Sequence, residues 1–212
     1  MEPEKFARRR KKGEATKKRL METATALFRE KGFQNVTVDE IIEKAGSSKG
    51  GFYNHFSSKE ELLFRMTDLL DEAYSSYLGQ LAEEESPLNK ITKFTSFIFE
   101  TLEAEIGLEF LAVIYSAQIR DPAFPNFSIT PQRAYYQALE IFIDEGKAAG
   151  EIRSDLPTDL VIRMITTGMR GVIYDWCLTR GGFGLAEYGR ETLETLMRGL
   201  RGPGKADHER SR

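Results

Sequence analysis

Thirteen consecutive residues hold most of the side chains here that could do chemistry: Ser47-Ser48-Lys49-Gly50-Gly51-Phe52-Tyr53-Asn54-His55-Phe56-Ser57-Ser58-Lys59. They are hydroxyls, an amide, an imidazole and ammonium groups, an inventory of hydrogen-bond donors suited to phosphate oxygens and base edges. Stepping about 100° per residue puts Phe52 and Phe56 on one helix face and Gly50, Gly51 and Asn54 on the other. Tyr53 and His55 fall on the flanks, where an imidazole can donate to a phosphate. Glycine on an exposed face lets another surface come very close. A nucleic-acid backbone and a major-groove floor are such surfaces, and a short helix after a tight turn is the usual way in.

The elements that position this stretch are legible on both sides of it. Thr37 with Glu40 forms a capping box, and Val36 with Ile41 stands where a hydrophobic staple would set the entry angle. Ile41, Ile42 and Ala45 give a one-sided helix of about two turns, which Gly46 ends at its C′ position. Ser47 or Ser48 caps the following helix, Lys49 to Phe56, and Ser58 with Glu61 is a second capping box opening a third, longer helix. Upstream, Leu20, Ala24, Leu27 and Phe28 recur at helical spacing until Gly32, with Phe33 as a plug.

Thr37-Val38-Asp39-Glu40-Ile41-Ile42, Ala45-Gly46, Ser48-Lys49-Gly50, Phe52-Tyr53, His55-Phe56 and Ser58-Lys59-Glu60 together resemble the N-terminal DNA-binding domain of the tetracycline-repressor (TetR) family. The resemblance spans roughly residues 15–63. Three positions depart from the commonest form: Ile42 for a small residue, Ser47 for valine, and Gly51 for threonine, serine or alanine. The resemblance implies that Thr37, Ser48, Lys49, Tyr53, His55 and Lys59 grip phosphates, while Gly50, Gly51 and Asn54 approach bases. Ser47 completes the expected DNA-binding set. A structural use of the helix-turn-helix, without DNA, is the competing reading.

Bulk properties narrow the class. With 41% hydrophobic and 30% charged residues the 212-residue chain reads as an ordinary globular protein of one or two domains. No apolar run suits a membrane span or a signal peptide, and the single cysteine, Cys177, suits a reducing cytoplasm. Two histidines and one cysteine far apart argue against a structural zinc, and no metal or cofactor is expected. Residues 1–60 carry 14 Lys and Arg against 9 Asp and Glu, so the chain's net charge of −3 hides a basic front on an acidic body. That asymmetry suggests a polyanion partner for the front only. No phosphate-binding loop and no partner base for Cys177 or His55 is visible, so an enzyme is not expected.

The expected fold is all-α. Residues 1–13, with Arg8-Arg9-Arg10-Lys11-Lys12, are expected to be a disordered basic arm, 14–60 the helix-turn-helix domain, 61–201 a helical ligand-binding and dimerisation body, and 202–212 a disordered tail. The long third helix should reach about Ala82, with Met66 and Leu69 among its inward residues. Further helices are expected from Ser86-Pro87 to about Glu103, Leu108 to Ile119, Thr130-Pro131 to Ala149, Thr158 to Leu178 and Ala186 to Leu200. A rigid aromatic loop, 122–127, separates two of them.

Tyr74, Phe94, Phe97, Phe110, Tyr115, Tyr135 and Tyr174 are aromatics on helices that should face one another, and Gln118, Thr167, Arg170 and Asp175 are polar groups in largely apolar helices. A cavity of that make-up is what a small-molecule site looks like, although core packing competes for each aromatic. Met164, Gly168, Val172, Leu193, Leu196, Met197 and Leu200 are the expected dimer interface. The resemblance implies a homodimeric regulator, a repressor in first reading, on a palindromic operator of double-stranded DNA and released by a small apolar or aromatic effector. The alternative is a helical ligand-binding protein or enzyme whose front module no longer binds DNA.

Overall fold

The computed structural model describes residues 2–120 and 133–202, with the side chains of 2–10, Arg29 and 63–69 left outside the description. Every regular element among the described residues is helical, save one isolated antiparallel bridge between Ile152 and Arg201. The chain divides into two compact units, residues 1–69 and 70–212.

The first unit contains α1 (Glu2–Lys31), a 3-10 turn (Phe33–Asn35), α2 (Val38–Lys44), α3 (Lys49–Tyr53) and the start of α4 (Lys59–Leu78). α1 starts at Glu2, twelve residues ahead of the expected Glu14. Pro3 suits a first helical turn, Glu2 and Glu4 suit its positive end, and the Arg and Lys run that follows has high helix propensity. Leu20, Ala24, Leu27 and Phe28 are buried as their spacing requires, together with Phe33, Val36, Ile41, Ala45, Phe52, Phe56 and Leu62. Gly32, at φ +77, ends α1 by donating its amide to Phe28.

The second unit holds the rest of α4, then α5 (Pro87–Thr101), α6 (Leu108–Arg120), α7 (Ala134–Ala148), α8 (Thr158–Leu178) and α9 (Leu185–Leu200). α5 packs on α7 and α9, and α8 packs on α6, α7 and α9. Ser86 caps α5 by accepting from the Asn89 amide, with Pro87 in the first turn, and Ile91, Phe94, Thr95, Ile98 and Leu102 are buried as expected. α4 stops at Leu78 rather than Ala82, passing into a turn at Gly79-Gln80. The side chains of Met66 and Leu69, the loop 122–127, the Thr130-Pro131 start of α7 and residues 203–212 all lie outside the described residues.

After α5 the chain makes a π turn, Leu102–Ile106, closed by a hydrogen bond that the Gly107 amide (φ +82) donates to the Leu102 carbonyl. Such a turn inserts a residue and re-aims the side chains on it. Here it presents Glu103 to α9, whose first two amides, Leu185 and Ala186, donate to the carboxylate at 2.8 and 3.1 Å. An acid at a helix N-terminus satisfies its orphan donors and complements its positive end.

α5 and α9 approach closely at Gly189, where a Cβ would stand 2.6 Å from the Phe99 ring. Gly189→Ala is expected to destabilise by about 1–3 kcal/mol through overpacking, more than the helix propensity it gains returns. Thermal unfolding by circular dichroism checks this, and a melting temperature at or above wild type contradicts the packing described.

Candidate nucleic-acid interface and effector site

Thr37 caps α2 by accepting from the Glu40 amide at 3.2 Å. Glu40 completes the box, its carboxyl held below the usual range by the Lys31 ammonium first and, further down, by the Thr37 amide. α2 closes on Ala45, with Gly46 at φ +57, its amide bonded to Glu43 and that of Ser47 to Ile42. This is a Schellman turn. Arg19 of α1 adds a clasp that spacing did not reveal, donating from Nε to the Ala45 carbonyl at 2.6 Å.

Ser48 is the N-cap of α3, its hydroxyl accepting from Gly51 at 3.0 Å. α3 runs only to Tyr53, with Asn54 as C-cap, yet the amide of Phe56 still reaches the Phe52 carbonyl at 2.9 Å. Phe52 and Phe56 are 0% and 1% exposed, whereas Tyr53 is 57% exposed. Gly50 has nothing within 4 Å of where a Cβ would be. Gly51 differs: a Cβ would stand 2.7 Å from Ser47 Oγ and 3.2 Å from Ser48 Oγ. Two of the three departures from the family pattern, Ser47 and Gly51, thus meet, the serine hydroxyl taking up the room a side chain would need.

The two lysines of the expected set behave differently. Lys49 lies in solvent, with Nζ 3.0 Å from Asp39 Oδ1. Lys59 turns inward, donating to the carbonyls of Phe33 and Val36, both at 2.8 Å, with its ammonium 4.2 Å from the centre of the Phe33 ring. Burial draws its pKa below the usual lysine value. Two of its three donors are thereby used, so it is a clamp between the start of α4 and the 3-10 turn before it is anything else. His55 is half-buried against Phe56 and beside Gly13 of α1. Ser58 caps α4, but the Glu61 carboxylate reaches Ser57 rather than Ser58, at 2.7 Å to both amide and hydroxyl.

In the second unit, three of the expected ligand residues lie within electrostatic reach of two arginines, Arg133 and Arg170. Tyr74 senses Arg133, Asp71 and Tyr115; Tyr115 senses Arg170; Tyr135 senses both arginines and hydrogen-bonds Tyr136. Burial, the largest cause for all three, pushes each phenol upward. Phe94 and Phe97 join Tyr74 and Tyr77 in an aromatic cluster, Tyr77 stacked on Phe97 at 4.0 Å. Arg133, overlooked because its partner lies 62 positions away, is 9% exposed and pairs with Asp71 at 2.9 Å. Phe110 is buried and Gln118 half-buried.

Thr167, Tyr174 and Asp175 stand apart from the buried members of the expected ligand set: all three are exposed, because the inward line of α8 is Val161, Ile165, Thr166, Met169, Val172, Ile173 and Trp176. Arg170 joins inside to outside, donating to Tyr136 Oη at 3.3 Å and Thr167 Oγ1 at 3.1 Å. It also lines an open groove of about 410 Å³ with Tyr136, Glu140, Asp159, Ile162, Arg163 and Thr166.

Of the seven residues expected at the dimer interface, four are covered within the chain itself. Val172, Leu193, Met197 and Leu200 are 2–5% exposed within the chain, so they are its own core. Met164 is 40% exposed, while Gly168 and Leu196 are half-buried.

Two capped short helices with buried rings and an open glycine, preceded by a supporting helix, define a helix-turn-helix unit carried on a separate helical body. Residues 20–66 match the family of bacterial regulatory proteins named tetR, and residues 64–199 match the C-terminal region of YsiA-like protein. The chain is 30% identical over 186 residues to the HTH-type transcriptional repressor KstR2 of Mycolicibacterium smegmatis, covering 85% of this chain and 88% of the relative. FadR of Bacillus subtilis in complex with stearoyl-CoA superposes with a TM-score of 0.64 at 21% identity, over 86% of this chain and 98% of that one. FadR of Thermus thermophilus in complex with lauroyl-CoA gives 0.60 at 24%, over 85% and 93%. The chain belongs to the TetR family of bacterial regulatory proteins. It is a DNA-binding transcriptional regulator, and the family and its named relatives are regulators rather than enzymes. No helix among the described residues is long and apolar enough to cross a membrane.

Cys177 is half-buried, and burial pushes its thiol up to about 11. Only the thiolate reacts, so alkylation at pH 8 is expected roughly a hundredfold slower than for a free thiol, rising about tenfold per pH unit toward 11. Iodoacetamide labelling followed by mass spectrometry reads this directly, and a rate equal to free cysteine at pH 8 refutes the buried setting.

Proposed function

We propose that this chain is a cytoplasmic, homodimeric repressor that binds a palindromic operator through α2 and α3 and leaves it when an amphipathic effector enters the body. The DNA reading is carried by α3. Its rings are buried, Gly50 is open and Tyr53 is exposed, so a surface at van der Waals distance meets bare backbone rimmed by donors. Thr37, Ser48, Lys49, Tyr53 and His55 contact phosphates, and Gly50, Gly51 and Asn54 approach base edges. Lys59 contributes at most its remaining donor.

The dimer is formed by the outer stripe of α8. Leu160, Met164, Thr167, Gly171, Tyr174 and Leu178 alternate by four and three residues, and Leu160, Met164, Tyr174 and Leu178 are 38–62% exposed. Tyr188 of α9, 48% exposed, extends the patch. An apolar seam of that period, left exposed among the described residues, matches an isologous helix–helix contact.

For the effector, the body offers buried aromatics within reach of Arg170 and a groove that Arg170 lines together with Arg163, Glu140 and Asp159. A molecule with an apolar body and an anionic end suits that arrangement, and the acyl-CoA complexes of the FadR neighbours have that chemistry. The expected effector is therefore an acyl thioester rather than a purely apolar compound.

Three measurements test these parts. Tyr53→Ala and Lys49→Ala are expected to weaken binding to a duplex selected from random DNA, the lysine change flattening the log affinity–log salt slope by about one unit. Gly171→Arg is expected to leave a 24.1 kDa monomer in sedimentation, where persistence of a dimer rules out the α8 seam. Acyl-CoA esters of graded length should raise the melting temperature and release the duplex, with Arg170→Ala losing the response. Equal response to CoA alone, or none to any ester, removes the effector assignment.

A further inference from the structure

We propose that Asp39 limits affinity at the DNA interface by competing with a DNA phosphate for Lys49. This rests on the reading of α2 and α3 as the DNA-binding pair. Asp39 is the second residue of α2 and Lys49 the first of α3, and both carboxylate oxygens face the ammonium, Oδ1 at 3.0 Å and Oδ2 at 3.3 Å. The side chains are 69% and 71% exposed, so the pair lies on the surface presented with Tyr53 rather than inside the unit.

Asp39 has no other evident task. The cap of α2 is Thr37 with Glu40, and Lys31 is held by Glu40. Its remaining effect, an acid in the first turn of a helix, is a small one. Its grip on Lys49 is nevertheless felt, for hydrogen bonding and charge from Asp39 raise the lysine pKa, with Tyr53 adding a lesser contribution.

The consequence follows from charge bookkeeping. A lysine neutralised by its own carboxylate gains less from a phosphate, because it must give up that pairing to make the new one. An exposed pair separates readily, so Asp39 acts as a brake and not a block. Phosphate contacts carry no sequence information. The brake therefore bears equally on operator and random DNA, lowering the whole affinity scale and the occupancy of non-operator sites.

Full-length wild type, Asp39→Asn, Lys49→Ala and the double variant are compared by fluorescence anisotropy in a salt titration, on a selected duplex and on a random one. Asp39→Asn is expected to tighten both by about two- to fivefold and to steepen the log–log salt slope by up to about 0.9. In the Lys49→Ala background the same change is expected to do nothing. Asp39→Ser is run alongside, with melting temperatures, so that a folding defect in one variant does not decide the outcome. Unchanged affinity in both Asp39 variants overturns the proposal. A gain that persists without Lys49 also overturns it, since Asp39 would then repel phosphate directly. If Lys49→Ala binds as wild type does, the phosphate role of Lys49 fails first and the proposal falls with it.

Discussion

Burial of two phenyl rings is what allows the bare outer side of α3 to exist. A five-residue helix with two glycines has no stability of its own: nucleation is unfavourable at that length, and each glycine costs roughly 1 kcal/mol against alanine. Fully burying Phe52 and Phe56 contributes about 1.5–3 kcal/mol each, enough to offset both glycines. The Ser48 cap and the Schellman turn at Gly46 fix the direction in which the helix leaves. Because the inward side supplies the stability, the outward side is free to be bare. A larger residue at Gly50 would leave α3 in place and deny only the approach of a partner.

The same division between a stabilising line and a free line runs along α8. Seven of its residues, from Val161 to Trp176, are committed to the body, and helical phase sends Tyr174 and Asp175 the other way. Side-chain type does not decide this. Tyr174 is as aromatic as Tyr115, yet Tyr115 lies among buried groups that push its phenol upward while Tyr174 is 44% exposed. Glu103 illustrates the converse, a carboxylate drawn inward because the π turn aims it at the amides of α9.

Local signals were therefore legible and non-local ones were not. Caps, glycine stops and apolar periods are properties of adjacent residues, and Thr37, Gly46, Ser48, Ser86 and Thr158–Leu178 could all be read from them. The clasp from Arg19 to Ala45, the inward turn of Lys59 and the pairing of Arg133 with Asp71 join residues 26, 26 and 62 positions apart. No local pattern records such a partner. Leu193 and Met197 were read as interface for a related reason. An apolar stripe states that something covers it, and only the fold shows that α5 and α8 already do.

Those non-local contacts matter most along α4, which runs without interruption across the boundary between the two units. Its first residue, Lys59, is tied to the carbonyls of Phe33 and Val36, and its Asp71 is tied to Arg133 just ahead of α7. No proline or glycine lies between Lys59 and Leu78, so nothing in the sequence of α4 predisposes its backbone hydrogen bonds to break. Arg133 in turn stands against the Tyr135 ring and within reach of Tyr74, where the buried aromatics gather. Arg133 therefore fastens α4 within the second unit, as Lys59 fastens its start within the first.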